Sequence, residues 1–425
     1  MRWKIEDTPE RAAFRAGFRA WLAEVLPDGW IEALEQQDDA AFAEARAGFN
    51  FLSWMGTIGR TGYAAPLWPR EYGGLSGEAF MQQIVREELS AHRLPTFGVN
   101  LLGVGLAGPT IIAHANEEQK RRYLPKILSG EEIWCQLFSE PGSGSDLASL
   151  GTRAVRDGDE WVVNGQKVWT SLASIATFGM LLARTGTDVP KHEGLSYLIV
   201  DMHAPGVEIR PLRQITGSAD FNEVFFTDVR VPDANRIGEV GEGWRYARTT
   251  LMNERVALSG LSIDAASLTG GLRRDAWEVL LSGVQDRADP IIRQELARIY
   301  IAQEVKEITA FRASAARLAG QTPGAEGGIS KVFNAEFNQY RSNVAMNAAG
   351  MCSIAWDADT PRGGDGFDGA GRGAATATAF LRTRANTIEG GTSEVLRNQI
   401  GERILGLPRE AEVDKGLAWA ETRRS

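Results

Sequence analysis

The hydrophobic period changes twice along this chain, and that double change limits the folds open to it. The first stretch runs at helical spacing. In TPERAAFRAGFRAWLAEVLPDGW, Phe14, Phe18, Trp21, Leu22, Val25 and Leu26 recur three and four residues apart, with Thr8 as N-cap and Pro9 in the first turn. NEEQKRRYLPKILSGEE reads as a second capped helix with a glycine stop, and APLWPREYGGLSG between them reads as loop. From about residue 133 the texture becomes β-rich. LSYLIVDM, GVEIRPL and NEVFFTDVRVP read as strands, and DEWVVNGQKVW as a hairpin turned at Asn164-Gly165 in the type I′ conformation. Helical texture returns after residue 238, in WRYARTTLMNERVALSGLSIDAASLTGGL and PIIRQELARIYIAQEVKEITAFRASAARLAG. The glycine-rich DTPRGGDGFDGAGRGAA reads as a surface insertion. At 425 residues the chain exceeds one hydrophobic core. The pattern therefore predicts an α+β protein of three domains, 1–132 helical, 133–238 β and 239–425 helical.

Charge and composition narrow the chemistry. A net charge of −9 with the two signs interspersed leaves no basic stripe for nucleic acid. Cys135 and Cys352 cannot make a disulfide framework, and with His92, His114, His192 and His203 scattered no metal site is expected. Runs such as SYLIV are far shorter than the roughly 20 apolar residues a membrane span needs. Acids in MRWKIEDTPE argue against a targeting peptide, so a cytoplasmic protein is expected.

Four stretches bear on function. SEPGSGSD, Ser139 to Asp146, combines glycines that let a backbone approach closely with hydroxyls suited to a polar heterocycle or phosphate; read alone it is more readily a plain turn. Trp169, in QKVWTS, offers a ring to stack on a planar ligand, or a core filler. MNERVALSG sets Glu254 in an apolar helical run beside Arg255, as a carboxylate that burial would perturb or as half of a structural pair. GVGLAG, Gly103 to Gly108, formally fits GxGxxG, but it lies in the helical block and runs into Pro109. It reads as helix-packing glycine rather than as a dinucleotide fingerprint.

Taken in order, CQLFSEPGSGSDLASLGTRA, WVVNGQKVWTS, FNEVFFTDVRVP and TIEGGTSEVLRNQIGERILGLP closely resemble the acyl-CoA dehydrogenase family over nearly the whole chain. The resemblance implies a helical N-terminal domain, a β-barrel-like middle domain and a C-terminal four-helix bundle, with FAD as cofactor. It implies oxidation of an acyl-CoA thioester to the trans-2-enoyl-CoA, with electrons passed to an electron-transfer flavoprotein. By analogy Gln136 to Ser145, including Phe138 and Gly144, line the flavin and thioester entrance, with Ser139 near the ring and Ser145 towards the acyl-CoA. Trp169 flanks the flavin, Ser171 bonds near its N5, and Thr392 to Glu394 contact FAD.

Many family members carry the base immediately before a single GT in the C-terminal motif. Here Gly390 occupies that position and Glu389 falls one residue early. Other members place the base on an earlier helix before an arginine, where this chain has Glu254-Arg255. Glu254 is therefore expected to be the base, with Arg255 as its neighbour at the substrate. The family's RxxFG and QxxGG segments are replaced, by DAWEVLLSGVQDRADPIIRQELAR and MNAAGMCSIAW, so no arginine is assigned to a neighbouring subunit's FAD. The pattern resembles the actinobacterial-type lipid and sterol side-chain branch, implying a homotetramer or an α2β2 heterotetramer. Three alternatives stay open: an oxidase using O2, a catalytically reduced structural subunit, and an NAD-dependent Rossmann enzyme.

Overall fold

The computed structural model describes residues 6–94, 100–258, 289–321, 326–350, 375–411 and 414–422. The glycine-rich stretch around 358–374, residues 259–288 and Cys352 lie outside them. The N-terminal helices are α1 (Pro9–Val25), α2 (Trp30–Gln36), α3 (Asp39–Arg46), α4 (Phe51–Gly59), α5 (Ala79–Ala91), α6 (Gly108–His114) and α7 (Glu117–Ser129). The expected caps are present. Thr8 accepts the Arg11 N–H, and Asn116 and Gln119 form a capping box ahead of α7, which stops at Gly130 with φ +73°. GVGLAG forms no nucleotide loop. Gly103–Ala107 is a π-helical turn running into α6, and a Cβ at Gly108 would lie 1.9 Å from the Trp68 ring, so this glycine is there for packing.

The middle strands are β1 (Trp134–Leu137), β2 (Arg153–Asp157), β3 (Glu160–Ser171), β4 (Phe178–Arg184), β5 (Leu195–Asp201), β6 (Val207–Leu212), β7 (Phe221–Pro232) and β8 (Arg236–Ile237). They form one sheet in the order β6-β7-β3-β2-β4-β5-β8, with β1 added parallel to β4. β5 also lies against β7, although three strands separate them in the sheet, so the sheet wraps round its own core. Side-chain alternation sorts the two faces. Leu181, Ala183, Leu198 and Val200 join Val163, Val224 and Phe226 inside the wrap, while Met180, Leu182, Tyr197 and Ile199 join the core of the N-terminal helices. Burial on both faces explains why β4 and β5 read as near-continuous apolar runs.

The expected hairpin at Asn164-Gly165 is not formed. Both residues lie inside β3, and the chain turns instead at Gly158-Asp159, with Gly158 at φ +63° and Asp157 paired to Glu160. Asn164 exchanges two hydrogen bonds with Asp228 across a bulge, at 2.9 and 3.0 Å, and a Cβ at Gly165 would meet Thr152 at 2.5 Å. Cross-strand pairing and close approach, not turning, account for this Asn-Gly.

The C-terminal helices are α8 (Gly243–Leu258), α9 (Pro290–Leu318), α10 (Glu326–Ala349), α11 (Ala375–Thr383) and α12 (Ser393–Arg403). α10 is central, touching α8, α9, α11 and α12, with Ile299, Phe337 and Val344 forming its small core.

A buried ion pair holds the serine–glycine loop onto β3. Lys167, fully buried, donates to Phe138 O at 2.9 Å and to Glu140 Oε1 at 2.8 Å. Glu140 also accepts the Gly151 and Thr152 N–H groups at 2.7 and 2.9 Å. Burial alone would raise the Glu140 pKa, but Lys167 and the N–H donors outweigh it and hold the carboxyl below its usual range.

Two outcomes follow from this packing. Gly108→Ala should destabilise the chain by about 1–3 kcal/mol through forced movement of Trp68, read as an earlier fluorescence-detected unfolding midpoint. Lys167→Met should cost about 3–5 kcal/mol at neutral pH, because Glu140 stays buried without its cation. Since the folded Glu140 pKa lies below the unfolded value of about 4.3, the stabilisation is present above that pH and lost as pH falls through the folded pKa. The gap between wild type and Lys167→Met in denaturation midpoint should therefore close below about pH 4.

Candidate active site

Glu254 is positioned from the turn before it. Thr250, four residues earlier on α8, bonds Thr110 of α6 at 2.9 Å and Tyr197 of β5 at 3.1 Å, all three buried. Thr110 also bonds Leu106 O at 2.8 Å and Thr250 bonds Tyr246 O at 3.4 Å, so the three hydroxyls form one connected buried network. Burial pushes the Tyr197 phenol up, so its proton is retained. α8 begins flush against β5, where a Cβ at Gly243 would meet the Ser196 backbone at 2.6 Å. One turn beyond Thr250 the helix delivers Glu254 to β1, where Gln136 Nε2 donates to Glu254 Oε2 at 3.2 Å. Both side chains are half-buried. Residues 118 apart in sequence are thus in direct contact. The Arg255 backbone continues α8, but its side chain lies outside the described residues.

The serine–glycine loop follows β1. Phe138 is buried edge-on to Tyr197, at 5.9 Å between centroids, so it supports the loop from beneath. Ser139 O accepts the Val168 N–H at 2.9 Å. Glu140 and Ser143 exchange backbone bonds around Pro141-Gly142, and the Ser143 hydroxyl donates to Asp146 O at 2.6 Å. Gly144 and Ser145 are exposed, and a Cβ at Gly144 would meet nothing within 4 Å. The loop presents open space there, not internal packing.

Trp169 is no core residue. It is 58% exposed at a register shift of β3, with φ +60°, a conformation that costs a non-glycine residue of order 1–3 kcal/mol. Its only ring partner among the described residues is Phe221, edge-on at 6.0 Å. Thr170, next to it, is buried with no partner for its hydroxyl among the described residues, and Ser171 is half-buried. An exposed aromatic plane held in a strained bulge fits a planar ligand such as a flavin ring.

The TIEGGTSE motif is a backbone turn. Gly390 and Gly391 both adopt left-handed φ, +62° and +93°, and Thr392 caps α12 by accepting the Val395 N–H at 3.1 Å. Glu394 is exposed in the first turn of that helix. Glu389 is clamped: Arg382 reaches both its oxygens, at 3.1 and 2.8 Å, and Asn386 Nδ2 donates to it at 2.6 Å. The Arg382 guanidinium also lies over the Phe221 ring at 5.9 Å, tying this turn to the Trp169 bulge.

Two supporting cations are not evident from motifs alone. Lys167, described above, sits on the inward face by a period-2 count from Trp161 and Val163, and that pattern is the signal for it. Lys331 on α10 is buried and donates to Asn386 O at 3.0 Å and Gly391 O at 2.5 Å, fixing both ends of the turn. Burial pulls its pKa down, opposed by the nearby charges of Glu389, Glu394 and Glu254. Its signal is a buried polar stripe at helical spacing: Lys331, Asn334, Asn338 and Ser342.

Comparison with known proteins identifies the family. The acyl-CoA dehydrogenase N-terminal, middle and C-terminal domain models match residues 8–131, 135–229 and 241–405. Acyl-CoA dehydrogenase IpdE1 of Mycobacterium tuberculosis is 40% identical over 414 residues, covering 96% of this chain and all of that one. Acyl-CoA dehydrogenase FadE34 of the same organism is 41% identical over 94% of this chain, which spans about half, 52%, of that longer protein. Among solved structures, the Tcur3481-Tcur3483 steroid ACAD aligns with a TM-score of 0.73 at 30% identity, covering 96% of this chain and 100% of that one. The ChsE4-ChsE5 complex from Mycobacterium tuberculosis aligns with a TM-score of 0.72 at 32% identity, over 96% and 100%. With three consecutive domain models matched, the chain belongs to the acyl-CoA dehydrogenase family, FAD oxidoreductases acting on acyl-CoA.

Proposed function

We propose that this chain is a catalytic acyl-CoA dehydrogenase subunit in which Glu254 removes the α-proton of the thioester. The carrying observation is the Gln136–Glu254 hydrogen bond, 3.2 Å long, with the rival acid Glu389 held in the Arg382 clamp. A carboxylate cannot take so weakly acidic a proton unaided, so donors at the thioester oxygen must stabilise the developing enolate. FAD, when bound, supplies the acceptor for the hydride leaving the β-carbon, giving the trans-2-enoyl product. Gln136 orients the base, while Arg255 is its neighbour at the substrate. The wall of the flavin and thioester pocket comprises Phe138, Ser139, Gly144, Ser145, Trp169 and Ser171, with Thr392 and Glu394 as further FAD contacts. We assign domains 1–132, 133–238 and 239–425, the base lying at the seam of all three.

Relatives named as steroid acyl-CoA dehydrogenases favour a bulky lipid or steroid-derived acyl chain. Ile291, Ile301, Val305 and Ile308 are exposed along α9, an apolar stripe that supports burial against another subunit in a homotetramer or an α2β2 heterotetramer. The cytoplasm and an electron-transfer flavoprotein as acceptor complete this reading. An oxidase would consume O2 on substrate addition, and a structural subunit would bind no flavin by itself.

The test is the anaerobic visible spectrum of wild type and Glu254→Gln titrated with straight-chain, branched and steroid side-chain acyl-CoAs. Wild type should bleach with one class. Glu254→Gln should retain FAD and ligand while losing about 100- to 10,000-fold in bleaching rate. Glu389→Gln should bleach within a few-fold of wild type; a loss there equal to that of Glu254→Gln would move the base to the C-terminal turn.

A further inference from the structure

We propose that residues 414–422 form a strap that positions the serine–glycine loop from behind, with Trp419 as its positioning residue. This segment lies beyond α12 yet packs on the middle domain. Trp419 N–H donates to Val189 O at 2.8 Å, Ala420 N–H to Thr187 O at 3.0 Å, and Ala418 bridges to Pro190. The Trp419 ring is 5% exposed, and its indole N–H donates to Ser149 O at 3.2 Å.

The strap completes the environment of a buried cation. Arg184, 1% exposed, donates to the carbonyls of Ala148, Leu150 and Lys191, and its guanidinium lies 4.7 Å over the Trp419 ring. A guanidinium so far from water needs its donors filled and its face covered, and the indole supplies the face. Outside this core, Lys191 Nζ bridges Asp414 at 2.6 Å and both oxygens of Asp146 at 3.1 Å. The loop is therefore anchored twice. Lys167 and Glu140 hold its near end, and Arg184, Trp419 and Lys191 hold Asp146 to Leu150 at its far end. Gly144 and Ser145 stand between the anchors, so their position depends on both. This rests on the reading of that loop as a wall of the flavin pocket.

Hydrogen exchange of the loop peptide 138–152 and the rate of FAD release on dilution, followed by flavin fluorescence, test the strap in the FAD-loaded protein. Trp419→Ala should speed both about five- to ten-fold, the size expected for one or two lost hydrogen bonds, with α10 exchange unchanged. Trp419→Phe keeps a ring under Arg184 but loses the donor to Ser149, and should fall between. Lys191→Met breaks the outer bridge without entering the core and should speed both by a smaller factor, so the answer does not hang on a variant that fails to fold. Unchanged loop exchange in both Trp419→Ala and Lys191→Met would overturn the proposal. So would equal acceleration in α10, which marks general loosening, or a loosened loop with FAD release unchanged. Since FAD release needs no turnover, a wrong assignment of Glu254 would show in the bleaching experiment alone.

Discussion

The hydroxyl of Thr250 is where the three parts of this protein meet. It bonds Tyr197 of the middle sheet and Thr110 of the N-terminal helices, and its own helix carries Glu254 one turn on. In a buried setting, breaking such a chain would leave hydroxyls unfilled, and an unfilled buried donor is costly. The orientation of α8 is thereby locked to two domains at once. Glu254 meets Gln136 across a seam that neither domain could build alone.

The loops proposed to wall the flavin pocket depend on charges buried for structural ends. Lys167, Arg184 and Lys331 are all buried, and each donates to backbone carbonyls, Lys167 to the Glu140 carboxylate as well. Lys167 and Arg184 grip the two ends of the serine–glycine loop, and Lys331 grips the C-terminal turn. Irregular backbone cannot bond to itself as helices and strands do, so its carbonyls need external donors. A long cation reaching from a regular element provides several at one point. The loops that must present polar groups outward are held from behind in this way.

Two of the non-glycine residues with left-handed φ fall where ligand contact is inferred, while Gln37, Ser76, Arg93 and Asp228 take it elsewhere. Trp169 and Leu172 both take positive φ within four residues of β3, and the bulge turns Trp169 outward. Neighbouring strands hold the conformation, with Asn222 Nδ2 donating to Thr170 O at 3.0 Å inside the sheet. Glu389 shows the opposite economy. Its position invites a catalytic reading, yet Arg382 and Asn386 take up its oxygens and make it a structural clasp on the glycine turn.

The helical spacing of Phe14, Phe18 and Leu22, the caps at Thr8 and Asn116, and the alternation in β7 were legible because they are local: period, cap and turn chemistry act within a few residues. The motifs carried the family and the cofactor. Local signals failed where distant partners outweighed them. Asn164-Gly165 has the chemistry of a turn, but Asp228 and Thr152 hold it inside a strand. The partnership of Gln136 with Glu254, the clamp on Glu389 and the strap at Trp419 join residues from 7 to 270 positions apart. The sequence by itself determined which residue types were available and, away from Asn164-Gly165, the helix and strand pattern of the segments read above, because those preferences are short-ranged. Only the tertiary structure decided which carboxylate meets Gln136 and which is clamped by Arg382, because that depends on what folding brings within hydrogen-bonding distance.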